Sequence, residues 1–303
     1  MGILEDIKQS FKQGSSLTQL IYINIGVFII VKFLGLFTFL FGLNNLAPVS
    51  WLAVPAYLPY LVFKPWTVVS YMFLHEGFLH ILFNMLVLYW FGKIFLDYLR
   101  EKQLLSVYIL GGLFGALFFI LFYNIFPAFE QYKYFAIALG ASASVMAVVV
   151  AISFYIPDNV IYLMFIGPVK MKYVAIAYIV LDFISIAGDN AGGHIAHLGG
   201  AFFGYLYITQ LKKGRNITKG FDSFLDALFS FFRFKRSSRM RVKYKNTDYY
   251  DGGYSHYQDI KYNEQKKQNN ERLNQILDKI SKSGYDSLTK EEKEILFKAS
   301  RNN

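Results

Sequence analysis

Three polar clusters interrupt the apolar stretches of this chain: His75, His80 and Asn84; then Gly140, Ser142 and Ser144; then His194, His197, Gly200 and Gly204. Each lies in a segment that otherwise reads as a membrane span, where a histidine, serine or asparagine is costly without partners or water. Several at one depth point to a site. Together they supply a hydroxyl, an imidazole and a carboxamide, the nucleophile, general base and oxyanion donor of a serine hydrolase. Ser142 is the candidate nucleophile. Gly140 lets the backbone approach closely at the helix start, and amides near Ser142 can face a developing oxyanion. Ser144 points to another helix face and is expected to pack against a neighbouring span. His197 is the candidate base: with Gly200 and Gly204 it falls at i, i+3 and i+7, above a small-residue groove that lets this span approach the one carrying Ala143 and Ala147. His80 and Asn84, at i and i+4, share a face and are the oxyanion candidates. His194, one turn outward from His197, reads as a hydrogen-bonding neighbour, and His75 as a brace for the preceding loop. With no carboxylate beside His194 or His197 in the sequence, a metal would find poor support, so neither metal nor cofactor is expected.

Taken together, these motifs resemble the rhomboid family of intramembrane serine proteases, whose pattern is His-x4-His-x3-Asn, Gly-x-Ser and His-x2-Gly-x3-Gly on successive helices. The resemblance runs from about Trp66 to about Lys213. It implies an all-α membrane protein, a six-transmembrane-helix bundle whose first loop is embedded in the outer leaflet. It also implies a Ser142–His197 dyad with no third member, and transmembrane segments of other proteins as substrates. These would enter past the fifth span, beneath a mobile cap at 188–193. Three positions depart from the family pattern. Ala143 follows the serine where glycine is usual, placing a methyl where it could crowd the oxyanion site. Met146 replaces an aromatic under the catalytic histidine, and Trp66 is followed by Thr67 where arginine is common.

The elements that must position these groups can be read from hydropathy and charge. Apolar residues make up 54% of 303 residues and mean hydropathy is +0.32, which excludes an ordinary soluble enzyme. There are no cysteines, hence no disulfides or thiolate metal sites. Spans are expected at about 18–39, 71–92, 103–123, 135–156, 171–187 and 193–212. Residues 1–14 form an amphipathic surface helix, and the catalytic domain runs from 15 to 213. Residues 43–70 carry Pro48, Pro55, Pro59 and Pro65 among Trp51, Tyr57, Tyr60 and Trp66, which suits a segment lying sideways at headgroup depth. Lys93, Arg100 and Lys102, then Lys170 and Lys172, then Lys212, Lys213 and Arg215 mark alternate loops, so both termini are expected to be cytoplasmic. No small-residue cleavage site follows the N-terminus, so the first span is read as uncleaved and the membrane as a bacterial inner membrane.

Beyond Gly214 the composition changes. Residues 214–245 combine Phe221, Phe224, Leu225, Leu228, Phe229 and Phe232 with a run of seven basic residues from Arg233 to Lys245. Next to a last span, such a segment is expected to meet anionic lipid headgroups and not nucleic acid. Residues 246–262 read as a linker, and 263–303 as a small cytoplasmic helical hairpin in which Gly284 ends one helix and Thr289 with Glu292 caps the next. The oligomeric state is left open. Two rival functions share the same residues. One is a catalytically silent rhomboid-like protein that binds membrane clients. The other is a transporter or proton relay, which predicts charged membrane partners and an inverted repeat; the fifth span holds a carboxylate, Asp182, and no repeat is seen.

Overall fold

The computed structural model describes residues 2–43, 47–163, 167–232, 271–280 and 283–301. It divides into two compact units, Met1–Arg236 and Ser237–Asn303. The first unit is almost entirely helical. An amphipathic helix, α1 (Ile3–Gln13), leads into α2 (Ser16–Leu40), whose N-cap Ser15 accepts a hydrogen bond from the amide of Thr18. Three short helices follow, α3 (Pro48–Leu52), α4 (Leu58–Phe63) and α5 (Thr67–Ser70), then the main helices α6 (Phe78–Tyr98), α7 (Glu101–Ile125), α8 (Ser142–Tyr155), α9 (Met171–Ser185) and α10 (Ala191–Lys212). Helix α11 (Lys219–Phe232) ends the unit. Among the described residues, α2, α6 and α7 are long and apolar enough to cross a membrane, and α8 is a shorter apolar helix.

Two helix starts differ from the sequence reading. Helix α6 begins at Phe78 and not near Tyr71, because Leu74–Gly77 are non-helical and Gly77 takes an extended N-cap conformation. His75 therefore precedes the helix. Helix α8 begins at Ser142 and not near Phe135, because Gly140 sits at φ +135° and Ile137–Ala138 form strand β2. That strand pairs antiparallel with β1 (Val54–Pro55). The first loop is thus tied to the segment just before Ser142. Indole Nε1 of Trp66 donates to the Trp51 carbonyl at 2.9 Å and Ser70 Oγ to that of Leu52 at 2.7 Å. A second antiparallel pair, β3 (Val160–Leu163) with β4 (Gly167–Lys170), lies between α8 and α9 and was not foreseen. The 188–193 stretch, expected as a mobile cap, is partly helical: α10 starts at Ala191, and the Asn190 side chain accepts from the amide of Gly193.

Helix α8 is the core of the bundle, with every residue from Ala143 to Ser153 buried. Small residues make this possible. A Cβ on Gly200 would stand 2.0 Å from the Ala143 carbonyl oxygen, and one on Gly204 would stand 2.3 Å from that of Ala147. Helix α7 closes on α8 the same way, with Gly111 against Ala147 and Gly115 against Ala143. Inside the bundle, Asn24 of α2 donates to Tyr108 of α7 at 3.0 Å, and Tyr108 donates to the Met72 carbonyl at 3.2 Å. Helix α11 is anchored on α7 through Asp222 with Ser106 and Asp226 with Lys102.

The second unit contains a helical segment at 271–280 and a helix at Lys290–Arg301. Gly284 at φ +75° follows the first, and Thr289 and Glu292 form the reciprocal cap at the start of the second. Ile276 and Leu288 are buried, and Lys279 pairs with Glu292 at 2.9 Å. The linker at 246–262 and the basic run from Arg233 to Lys245 lie outside the described residues.

Candidate active site

The three polar clusters converge on one cavity of about 240 Å³, lined by Asn84 of α6, Ser142 and Met146 of α8, Tyr178 and Asp182 of α9, and His197 of α10. Ser142 is the first residue of α8, so its hydroxyl and its backbone amide both stand at a helix N-terminus. Gly140 makes this start possible. Its φ of +135° is disfavoured for other residues, and a Cβ there would lie 3.1 Å from His80 Nε2 and 3.3 Å from Ser142 Oγ. Glycine thus lets the imidazole of His80 and the hydroxyl of Ser142 approach the same point. The backbone amide of Glu76 donates to His80 Nδ1 at 3.4 Å, so in the neutral ring the proton is on Nε2, the edge nearest Gly140 and Ser142. Asn84 uses one amide hydrogen on the carbonyl of His80, at 2.8 Å, leaving a second N–H for the cavity it lines.

His75 is buried and packs edge-on against His80, with ring centroids 5.1 Å apart. Ser144 faces away from the cavity: its Oγ is buried and would lie 2.5 Å from a Cβ on Gly112 of α7. The Ala143 methyl points into the same contact, against Gly115, and so does not crowd the space around Gly140. No hydrogen bond joins Ser142 to His197 in this geometry; the two side chains line the cavity together.

One partner was missed by the sequence reading. Asp182 is only 6% exposed, and its Oδ1 lies 2.9 Å from Nδ1 of His197 and 2.7 Å from Nδ1 of His194. The expectation that no carboxylate stands beside these histidines is therefore wrong in space, although right along the chain. The signal was present as a lone acidic residue in an apolar span, but fifteen residues and a turn separate it from His197. Among the described residues, Asp182, His194 and His197 are also the one group able to offer three ligand atoms to a metal, all within 4.8 Å of one another. The two separations to Asp182 are hydrogen-bond lengths, shorter than the roughly 3.3 Å between donors sharing a tetrahedral zinc at ~2.0–2.2 Å. Held this way, both imidazoles are bonded to the one carboxylate oxygen.

The Rhomboid domain matches residues 62–213, and a family of unknown function (DUF6576) matches residues 258–302. The chain is 30% identical over 158 residues to RHOMBOID-like protein 12, mitochondrial, of Arabidopsis thaliana, covering 49% of this chain and 47% of that protein. It is 31% identical over 140 residues to presenilin-associated rhomboid-like protein A, mitochondrial, of Danio rerio, covering 45% and 35%. It is 28% identical over 199 residues to rhomboid protein 1, mitochondrial, of Saccharomyces cerevisiae, covering 61% and 54%. The matches thus span about half or less of these curated relatives. The relatives are mitochondrial by name and point to a mitochondrial membrane, which overturns the expectation of a bacterial inner membrane. The domain match covers half of the chain and includes every residue that lines the cavity, and on that basis the chain belongs to the rhomboid family.

Proposed function

We propose that this rhomboid protein is an intramembrane serine endopeptidase that cuts transmembrane segments of other proteins. The observation that carries the reading is the meeting of Ser142, His197 and Asn84 at one cavity, with His80 brought to Ser142 across Gly140. In this mechanism Ser142 Oγ attacks the scissile carbonyl while His197 Nε2 takes its proton. The Ser142 amide, Asn84 Nδ2 and His80 Nε2 hold the oxyanion. His197 then gives its proton to the leaving amine, and water hydrolyses the acyl-enzyme. Met146, buried on α8 at the cavity wall, supports the imidazole by packing.

Six spans, α2 and α6–α10, make up the domain. At 14 residues α8 is about 21 Å long, shorter than the ~30 Å hydrocarbon core, so its first residue would lie below the membrane surface within reach of water. A peptide must be extended to be cut, and segments with small or helix-breaking residues expose their carbonyls most easily. The basic run after α11 is assigned by charge to anionic headgroups. Labelling with a fluorophosphonate probe tests the proposal: wild-type protein should label and Ser142→Ala should not. Failure of the wild type to label would leave the catalytically silent, client-binding reading.

A further inference from the structure

Asp182 is a carboxylate that a Ser142–His197 dyad does not require, and it is buried where a charge is costly. Around it on α9 stand Val180, Leu181, Phe183 and Ile184, all exposed on the helix surface. Of the residues from Ile176 to Ser185, Asp182 alone is buried. A carboxylate turned inward from an apolar helix is tolerated only when paired, and here Oδ1 meets two imidazoles, at 2.7 and 2.9 Å.

The chemistry of that contact sets a tautomer. An ionised carboxylate can only accept hydrogen bonds, so both His194 and His197 must donate from Nδ1. In neutral His197 this leaves Nε2 without a proton, and Nε2 is then the only nitrogen that can take one. The same ring lines the cavity with Ser142, and Asp182 lines it as well. His194 and His197 are three residues apart on α10, so one turn presents both rings to the one oxygen. The second hydrogen bond, from His194, holds the carboxylate in place while His197 changes charge.

Resting on the protease reading, we propose that Asp182 is the positioning residue for His197, so that the unit is Ser142–His197–Asp182 with His194 as the anchor of the carboxylate. During acylation the Ser142 Oγ–H bond breaks and its proton moves to His197 Nε2. Oγ bonds to the carbonyl carbon, and the carbonyl π pair moves to oxygen. The Nδ1–H stays on His197 throughout, donated to Asp182, which takes no proton but stands beside the imidazolium. Collapse returns the oxyanion pair to the carbonyl, breaks the C–N bond and sends the Nε2 proton to the leaving amine.

The test uses the full chain in detergent, with cleavage of a transmembrane peptide substrate and histidine labelled with 15N. The expected result for Asp182→Asn is a kcat lower by roughly 10²–10⁴-fold with KM little changed, because an amide at this position can favour the wrong tautomer. Asp182→Glu should recover at least about tenfold over the asparagine variant, and His194→Ala should be milder than either. The 15N signal of resting His197, assigned by its loss in His197→Ala, should show Nδ1–H in the wild type and Nε2–H in Asp182→Asn. A purely structural tie between α9 and α10 would not move that signal. A kcat for Asp182→Asn within about threefold of wild type would overturn the proposal, as would Nε2–H on wild-type His197. If Asp182→Asn does not fold, the wild-type tautomer alone decides. A wild-type protein that neither labels nor cuts defeats the protease reading instead, and its resting tautomer still reports whether Asp182 holds His197.

Discussion

Helices α8 and α9 both border the cavity, yet they are built in opposite ways. On α8, Ala143 to Ser153 are buried without a break, whereas on α9 only Met171, Val174, Ala175 and Asp182 are buried. Glycines lock α8 in place from two sides, Gly111 and Gly115 of α7 against the methyls of Ala147 and Ala143, and Gly200 and Gly204 of α10 against their backbone carbonyls. Its position is set by sterics, and packed interiors yield little. Helix α9 meets the bundle through apolar contacts of Met171, Val174, Ala175 and the half-buried Ile179, and through the buried carboxylate of Asp182. Tyr178 is 40% exposed and still lines the cavity, so the opening lies beside α9. The proposed nucleophile, Ser142, is therefore carried by the tightly packed helix, and the cavity opens beside the loosely packed one.

The largest expected effect breaks the rigid side chemically. Ser142→Ala should abolish cleavage and probe labelling with no loss of thermal stability, while Ser144→Ala, which alters only the contact with Gly112, should keep most activity. The reverse pattern would reassign the nucleophile. Next, Asn84→Ala should lower kcat by about 10²–10³-fold, the range for one lost oxyanion donor. A rise in KM at constant kcat would move Asn84 from catalysis to substrate binding.

Packing of the rigid helix is tested by Gly200→Ala, since the new methyl would stand 2.0 Å from a backbone oxygen that cannot rotate away. A destabilisation of about 1–3 kcal/mol is expected, read as a lower unfolding temperature in detergent. Gly26→Ala on α2, where no heavy atom lies within 4 Å, is the control and should be near neutral. On the loose helix, Tyr178→Ala should change substrate KM severalfold while unfolding shifts by no more than about 0.5 kcal/mol, as for other surface positions. A large loss of stability there would show that α9 is as firmly packed as α8. The smallest effect is expected from truncation after Arg236, which should leave labelling at Ser142 intact. Truncation after Lys213 also removes the contacts of α11 with Ser106 and Lys102 and should lower stability.

Much of the bundle was legible before folding because its signals are local. Hydropathy and loop charge located α2, α7, α9 and α10 to within a few residues, whereas α6 starts later, after Gly77, and runs on to Tyr98, and α8 starts later, after Gly140. The small-residue groove at Gly200 and Gly204 was read from spacing, and in the structure it closes on Ala143 and Ala147, the contact expected of a Ser–His pair. The matching glycines Gly111, Gly112 and Gly115 on α7 were equally visible but were not recognised as a face. The cap formed by Thr289 and Glu292 was read from four residues and is present.

The sequence by itself determined which groups are available and where each sits along its own helix, because the helical repeat converts spacing into a shared face. His80 with Asn84, and His197 with Gly200 and Gly204, needed nothing further. The tertiary structure decided what stands across from each of them: that the Ala143 methyl turns toward Gly115, that His80 reaches Ser142 over Gly140, and that Asp182 bonds His194 and His197. Those contacts join residues on different helices. Their distances depend on how α7, α9 and α10 rotate and close around α8, and no spacing within one helix carries that information.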